Sequence, residues 1–303
     1  MLSSADPQPS AELGAAAATG VEGETGLAKD NKTDKTAGTQ LLDRTVAIMK
    51  LLGDAGQAGL RPIEVSKQLG LTTTTAHRIM TALERHGLVE REQATHRYRL
   101  GLSLFAMGAK AADGTGLRSL CRPALMRLAA ETGDTVFLMA RSGFNVVCVD
   151  RQEGTYVLDS LTGHIGGQIP LGVGSASLAV LAFLPEQEAR AIVAANAPRY
   201  AAFNGLSVEE IDGQLVETRA RGFALDQGRL VAGISALAVP IAPKGRDVVA
   251  ALAINMTSSR LPDERIESIA DRLKAEVAIV ASELNPLQFA ARRTRSVADL
   301  ADG

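Results

Sequence analysis

Thr74, His77, Arg78, Thr81 and Arg85 have the types and spacing to do chemistry on a polyanion. In TTTTAHRIMTALERH (Thr72 to His86), Thr74, Arg78, Thr81 and Arg85 fall at i, i+4, i+7 and i+11, with His77 flanking them and Thr73 and Thr75 at the start of the run. The face carries hydroxyls, an imidazole and guanidinium groups but no carboxylate, since Glu84 lies off to the side. Hydroxyls and forked Arg donors suit the base edges and phosphates of a major groove. A merely solvated helix would show the same face, so the flanking elements decide.

A second spacing offers anion chemistry. The stretch GHIGGQIPLGVG (163 to 174) holds five glycines, at 163, 166, 167, 172 and 174, and feeds SASLAVLAFL (175 to 184), a helix apolar on every side and therefore buried. The first N–H groups of a buried helix need partners. Glycines let an anion approach them, and the helix dipole favours negative charge there. The alternative is a tight turn whose amides are met by Ser175, Ser177 or water. No GK[ST] follows, which argues against a phosphate loop of the Walker type.

Catalytic readings are weaker. Cys148 sits mid-strand among valines, where a buried structural thiol is the ordinary reading. His164 has no spacing that pairs it with Cys148, and Asp150, Arg151 and Asp226 read as structural or ligand-orienting. No HExxH, CxxC or GxSxG occurs. The expectation is no enzyme, no metal and no cofactor.

The elements that position these groups can be read in order. Residues 1 to 38, rich in Ala, Gly, Ser, Thr and Pro, read as a disordered tail. A helix over 40 to 54 buries Leu42, Val46, Met49 and Leu52. A second begins at Pro62 and stops at Gly70, and Thr72 caps the third. Leu88 to Arg91 and Arg97 to Leu100 make a basic hairpin. A helix-turn-helix followed by such a wing is the signature of a DNA-binding module, with Arg97 and Arg99 placed for phosphate. From Thr39 to Gly101 there are 9 Lys+Arg against 6 Asp+Glu, and 23 against 28 elsewhere, so a basic module is attached to an acidic body.

Residues 101 to 116 read as a linker helix and hinge, with apolar contacts from Leu102, Phe105, Met107 and Ala109. Residues 117 to 285 read as an α+β domain: a helix over 117 to 132, strands at 135–140, 146–150 and 156–161, the buried helix, helices at 185–195 and 207–221, strands at 236–242 and 248–255, and a closing helix at 262–284. Residues 286 to 303 read as a mobile tail. The 303 residues are enough for two cores. Two cysteines fit a reducing cytoplasm, and no apolar run suggests a signal peptide or membrane span.

LLDRTVAIMKLL, GLTTTTAHRIMTALERHGLV, RYRLG, VVCVDRQEG, GFALDQGRLVAGISALAVPI and VVAALAINMTSSRL together resemble the IclR family of bacterial transcription regulators, over about residues 40 to 285. The resemblance implies a mixed α/β chain: a winged helix-turn-helix, a linker helix and a C-terminal effector-binding domain with an antiparallel sheet, paired into homodimers or homotetramers on double-stranded operator DNA. By motif it carries an effector pocket onto Val173, Gly174 and Ser175, Asp226, Ser235 and Ala236, and Ala253 and Asn255, with Cys148 added from the neighbouring strand. The departures lie in the pocket. Many members have Thr-Ala-x-Gly-Lys where this chain has GVGSASLAV, often a Cys near Ser235, and small serines where Ala253 and Asn255 stand. The resemblance carries over the location of the pocket and not its ligand. The expected effector is a small organic acid, with an enzyme on a small acid or a purely architectural DNA binder as the alternatives.

Overall fold

The computed structural model describes residues 37–113, 116–158 and 164–287. Of the expected tails, 1–38 and 286–303, residues 1–36 and 288–303 lie outside the described residues, as do the centre of the hinge and residues 159–163, while Ala37 already belongs to the first helix. Those described form two compact units, 37–85 with 89–100, and 86–88 with 101–287.

In the first unit, α1 (Ala37–Ala55) is followed by α2 (Pro62–Leu69) and α3 (Thr73–Arg85). The threonine run does not extend the helix backwards, because Thr72 caps it: its Oγ1 accepts the Thr75 N–H at 3.2 Å. The apolar stripe of α3, Ala76, Ile79, Met80 and Leu83, is buried as its spacing requires. It packs in one core with Ile48, Leu52, Val65, Val89 and Tyr98. The stripe of α1 is rotated from the expectation. Ile48 and Leu52 are buried, whereas Leu42 and Val46 are exposed together with Leu41. The first turns of α1 run past the core, so their apolar residues have nothing in this unit to cover them.

The wing is the antiparallel pair β1 (Val89–Arg91) and β2 (Tyr98–Leu100). Leu60 adds a bridge to β2, exchanging N–H···O bonds of 3.0 and 2.8 Å with Tyr98. The wing is therefore tied to the segment that leads into α2.

The second unit starts with α4 (Leu102–Asp113) and α5 (Leu117–Thr132). Then come β3 (Thr135–Ser142), β4 (Asn145–Gln152), β5 (Gln168–Pro170), α6 (Gly174–Ala182), α7 (Glu186–Tyr200), α8 (Val208–Arg221), β6 (Ala224–Gln227), β7 (Ile234–Ile241), β8 (Ala250–Thr257) and α9 (Asp263–Glu283). The six strands form one antiparallel sheet in the order β5-β4-β3-β8-β7-β6. Alternation along the strands sends side chains to two cores. Val136, Leu138, Leu237, Val239, Leu252 and Ile254 meet α5 and α9 on one face. Phe137, Met139, Ala238, Ala251 and Ala253 meet α6 and its neighbours on the other.

A β-bulge interrupts the β3–β4 ladder. Leu138 pairs with Asp150 and Met139 with Cys148, so Val149 is the extra residue. Cys148 faces α6 with Met139. Two residues on, Asp150 has crossed to the α5 side, and Arg151 faces α6 with its guanidinium 5.5 Å from the centre of the Phe137 ring.

Two strand expectations change. Tyr156 to Leu158 is not a strand, and residues 159–161 lie outside the described residues. The Thr135 hydroxyl takes up this segment instead, donating to the Tyr156 carbonyl at 3.2 Å and accepting the Leu158 N–H at 3.3 Å. The sheet edge beyond β4 is β5, three residues ending in proline, as an edge strand tolerates. The short β6 adds a strand on the far side that the sequence reading leaves out. Among the described residues no helix is long and apolar enough to cross a membrane.

Candidate nucleic-acid interface and effector site

The two units hold the two candidate sites separately. In the first, burying one stripe of α3 leaves Thr74, His77, Arg78 and Arg85 in solvent, with Thr81 half-buried at the margin. None of Thr74, His77, Arg78 or Arg85 hydrogen-bonds or ion-pairs with a described residue. The other two candidate threonines are engaged. Thr75 Oγ1 lies 2.8 Å from Thr72 Oγ1 within the cap, and Thr73 Oγ1 lies 3.3 Å from Ser66 Oγ on α2. Their hydroxyls brace the helix-turn-helix.

Arg97 does not stand free for phosphate. Its Nη1 donates to the Gly59 carbonyl at 2.8 Å and to Glu64 Oε2 at 3.2 Å, and its Nη2 donates to Glu64 Oε1 at 3.1 Å. Glu64 Oε2 also accepts the Arg61 backbone N–H at 2.7 Å. That N–H bond, followed by the Arg97 charge, holds the Glu64 carboxyl below the usual carboxylate range. The forked pair fastens the wing to the start of α2. The expectation of an Arg97 free for phosphate is corrected accordingly: three bonds of its guanidinium go to Gly59 and Glu64. Arg99 is half-exposed and pairs with Glu92 at 3.1 Å. Arg91, not singled out from the sequence, reaches His96 Nδ1 at 2.7 Å and lies over Tyr98.

Arg97→Ala should weaken binding to all DNA sequences and lower the stability of the first unit by about 1 kcal/mol, as for a partly exposed forked pair. Glu64→Gln should do the same in kind. A Glu64→Gln protein that binds DNA more tightly would show instead that Arg97, once freed, acts on phosphate. The pair's contribution requires ionised Glu64. Because the folded pKa is depressed, that contribution is present above the ordinary Glu range and is lost as pH falls through the lowered value.

In the second unit, α6 is buried from Ser175 to Ala182. The loop before it is held from both sides. Ser177 Oγ donates to the Val173 carbonyl at 2.6 Å and accepts the Gly172 N–H at 3.1 Å. The Leu171 carbonyl accepts Tyr200 Oη at 2.7 Å and Asn196 Nδ2 at 3.2 Å, both from α7. Asn196 and Tyr200 were missed in the sequence, although two polar residues at i and i+4 within the buried stripe of a helix were a usable signal. Val173 is fully buried, Gly174 is half-buried, and Ser175 is 3% exposed, its hydroxyl hydrogen-bonded to none of the described residues.

The sheet brings some of the other pocket candidates together. Asp226, Ala236 and Asn255 are consecutive cross-strand partners, with Thr135 next in the row. Ala253 lies one row further on the same face, between Ala238 and Phe137. Cys148 faces the same side but is a row beyond, paired with Met139, and burial pushes its thiol up to about 11, as suits a structural thiol. Ser235 does not belong with them. It follows the parity of Leu237 and Val239, faces the α9 side, and lies 2.9 Å from Ser258 Oγ. Adjacent residues of a strand cannot share a face, so Ser235 and Ala236 could not both line one pocket.

Asp226 is largely consumed by its own turn. Its Oδ1 accepts the Arg229 N–H at 2.8 Å, and burial, opposed by the N–H groups of Arg229, Leu230 and Gly228, raises its pKa. Asn255 is half-buried, and its amide bonds to none of the described residues. His164 is exposed and shares a shallow cleft of about 530 Å³ with Arg151, Gln152, Glu153 and Ile165, and no group of metal-ligating side chains occurs among the described residues.

A three-helix unit with a wing and open cations on its third helix belongs to the class of proteins that set a helix in DNA. The model of the IclR helix-turn-helix domain matches residues 41–93, and that of the bacterial transcriptional regulator IclR C-terminal domain matches residues 109–281. The chain belongs to the IclR family and is a DNA-binding transcription regulator. It is 26% identical over 238 residues to the HTH-type transcriptional regulator XynR of Escherichia coli, covering 78% of this chain and 93% of that protein. A crystal structure of an IclR regulator from Alicyclobacillus acidocaldarius superposes with a TM-score of 0.68 at 27% identity, covering 80% of this chain and 98% of the other. An IclR homologue from Microbacterium hydrocarbonoxydans, complexed with 4-hydroxybenzoate, has a TM-score of 0.66 at 19% identity over 80% and 98% of the two chains, a likeness of fold.

Proposed function

We propose that the protein is a one-component regulator whose affinity for double-stranded operator DNA is set by a small carboxylate-bearing metabolite. In this reading, α3 enters the major groove with Thr74, His77, Arg78, Thr81 and Arg85 toward the DNA, and Arg99 lies near phosphate. Thr73, Thr75 and Arg97 hold that surface in place. The effector carboxylate sits at the start of α6, against Gly174 and Ser175, with Ala236, Ala253 and Asn255 on the facing sheet. The observation that carries this is the buried residue Ser175, whose hydroxyl bonds to no described residue, beside the first N–H groups of a helix buried all round. Donors in such a place favour an anion, at on the order of 1.5–3 kcal/mol for each charge-assisted bond.

The working form is a cytoplasmic homodimer or homotetramer. Leu102, Phe105 and Met107 of α4 are 72, 70 and 57% exposed, and a single winged module buries only about 600–1,000 Å² on DNA. Light scattering tests this, and a monomer both free and on DNA would contradict it.

The effector reading is tested by calorimetric titration with small acids, 4-hydroxybenzoate among them, each beside its neutral amide. Binding of an acid and not of its amide is the expected result, accompanied by a change in operator affinity. Equal binding of acid and amide would remove the carboxylate from the site.

A further inference from the structure

We infer that α3 reads guanine: each operator half-site carries a G·C pair whose guanine O6 and N7 are met by the Arg78 fork, with His77 beside it. This rests on the reading that α3 lies in the major groove. The structure narrows what that face can read. Of the four threonines at its start, Thr72 caps the helix, Thr75 joins the cap and Thr73 is turned to Ser66, so Thr74 alone offers an uncommitted hydroxyl and methyl. Arg78 lies one turn further along the same side, exposed, its fork bonded to no described residue.

The alternatives fail on residue type. Bidentate recognition of adenine uses Asn or Gln, and residues 72 to 86 contain neither. Accepting from cytosine N4 uses a carboxylate, and the run has only Glu84, half-buried off the open face. Guanine presents two acceptors to the groove, which two parallel N–H donors of a guanidinium match. The exposed His77 imidazole adds a further donor at the same level of the helix. Arg85, at the last residue of α3, is the cation placed for phosphate, whereas Thr74 to Arg78 lie in the half that a helix of this kind points at base edges.

The test uses the full chain. Binding sites are selected from a random pool of double-stranded DNA, and each recurrent guanine of the selected site is then replaced by 7-deazaguanine, which lacks the N7 acceptor. Wild type, Arg78→Ala and Arg78→Lys are compared at fixed salt. A guanine should recur in each half-site. Arg78→Ala should lose about 5- to 150-fold in affinity, with its melting temperature unchanged, and should no longer distinguish guanine from 7-deazaguanine. Arg78→Lys keeps the charge without the fork and should fall between. A selected site without guanine, or a 7-deaza effect equal in wild type and Arg78→Ala, overturns the inference and leaves DNA recognition standing. So does an Arg78→Ala protein with base preferences intact and only a shallower salt dependence, since Arg78 would then be on phosphate. A pool that yields no recurrent sequence overturns the groove reading as well.

Discussion

Gly172→Ala is expected to destabilise the second unit by about 2–5 kcal/mol, the sum of left-handed strain and overpacking. The φ of Gly172 is +106°, a conformation that L side chains rarely adopt. A Cβ there would also stand 2.7 Å from Tyr200 Oη, 3.0 Å from Cζ and 3.2 Å from Ile211 Cδ1. Tyr200 cannot swing away freely, because its ring is buried, its hydroxyl bonds to the Leu171 carbonyl, and burial raises its pKa to about 12. Tyr200→Phe alone should cost about 0.5–1.5 kcal/mol for that bond. Since it removes the atom nearest the new methyl, the double variant should be less destabilised than the two single changes added together. Scanning calorimetry of the four proteins reads this, and strict additivity would show that the Tyr200 hydroxyl is not what confines Gly172.

Gly174, two residues on, should behave differently. Its φ is +78°, so alanine there should cost about 1–2 kcal/mol, and a valine more, because it is β-branched. It is half-buried, and the Ser175 hydroxyl beside it bonds to no described residue. With the effector carboxylate at these donors, a methyl at 174 intrudes between anion and N–H. Gly174→Ala should therefore keep operator affinity within a few fold when no acid is present and lose the response to the acid that binds wild type. An unaltered response in a folded variant would move the pocket elsewhere. Loss of DNA binding without acid would make Gly174 a structural residue for the whole chain.

The difference between these two glycines was not legible in the sequence, where both belong to one Gly-rich loop. What was legible follows from periodicity: the buried stripe of α3, and α6, whose run of apolar residues allows no solvent side. The strands β7 and β8 were found for the same reason. What was not legible depends on partners distant in sequence. Glu64 and Arg97 are 33 residues apart, and nothing local marks Arg97 as paired to the start of α2 while Arg99 pairs with Glu92 within the wing. Tyr156 to Leu158 has strand-like residues, but the Thr135 hydroxyl captures its backbone. Leu42 and Val46 fit a helical stripe that the first unit does not cover. The misplacement of Ser235 is of another kind, since strand alternation alone separates it from Ala236.

The extra residue at Val149 has an electrostatic consequence. Without it, β4 would keep one parity from Val146 through Asp150, and the carboxylate would lie over the alanine-lined floor beneath α6. Arg151 would then join Arg118 and Arg122, the two cations that now meet Asp150 at 3.4 and 2.9 Å. One inserted residue thus decides on which side of the sheet the Asp150 carboxylate and the Arg151 guanidinium lie. It gives the Asp150 carboxylate its cations on the α5 side, and it places the Arg151 guanidinium, paired with Glu153 at 2.9 Å, on the side of the proposed effector site.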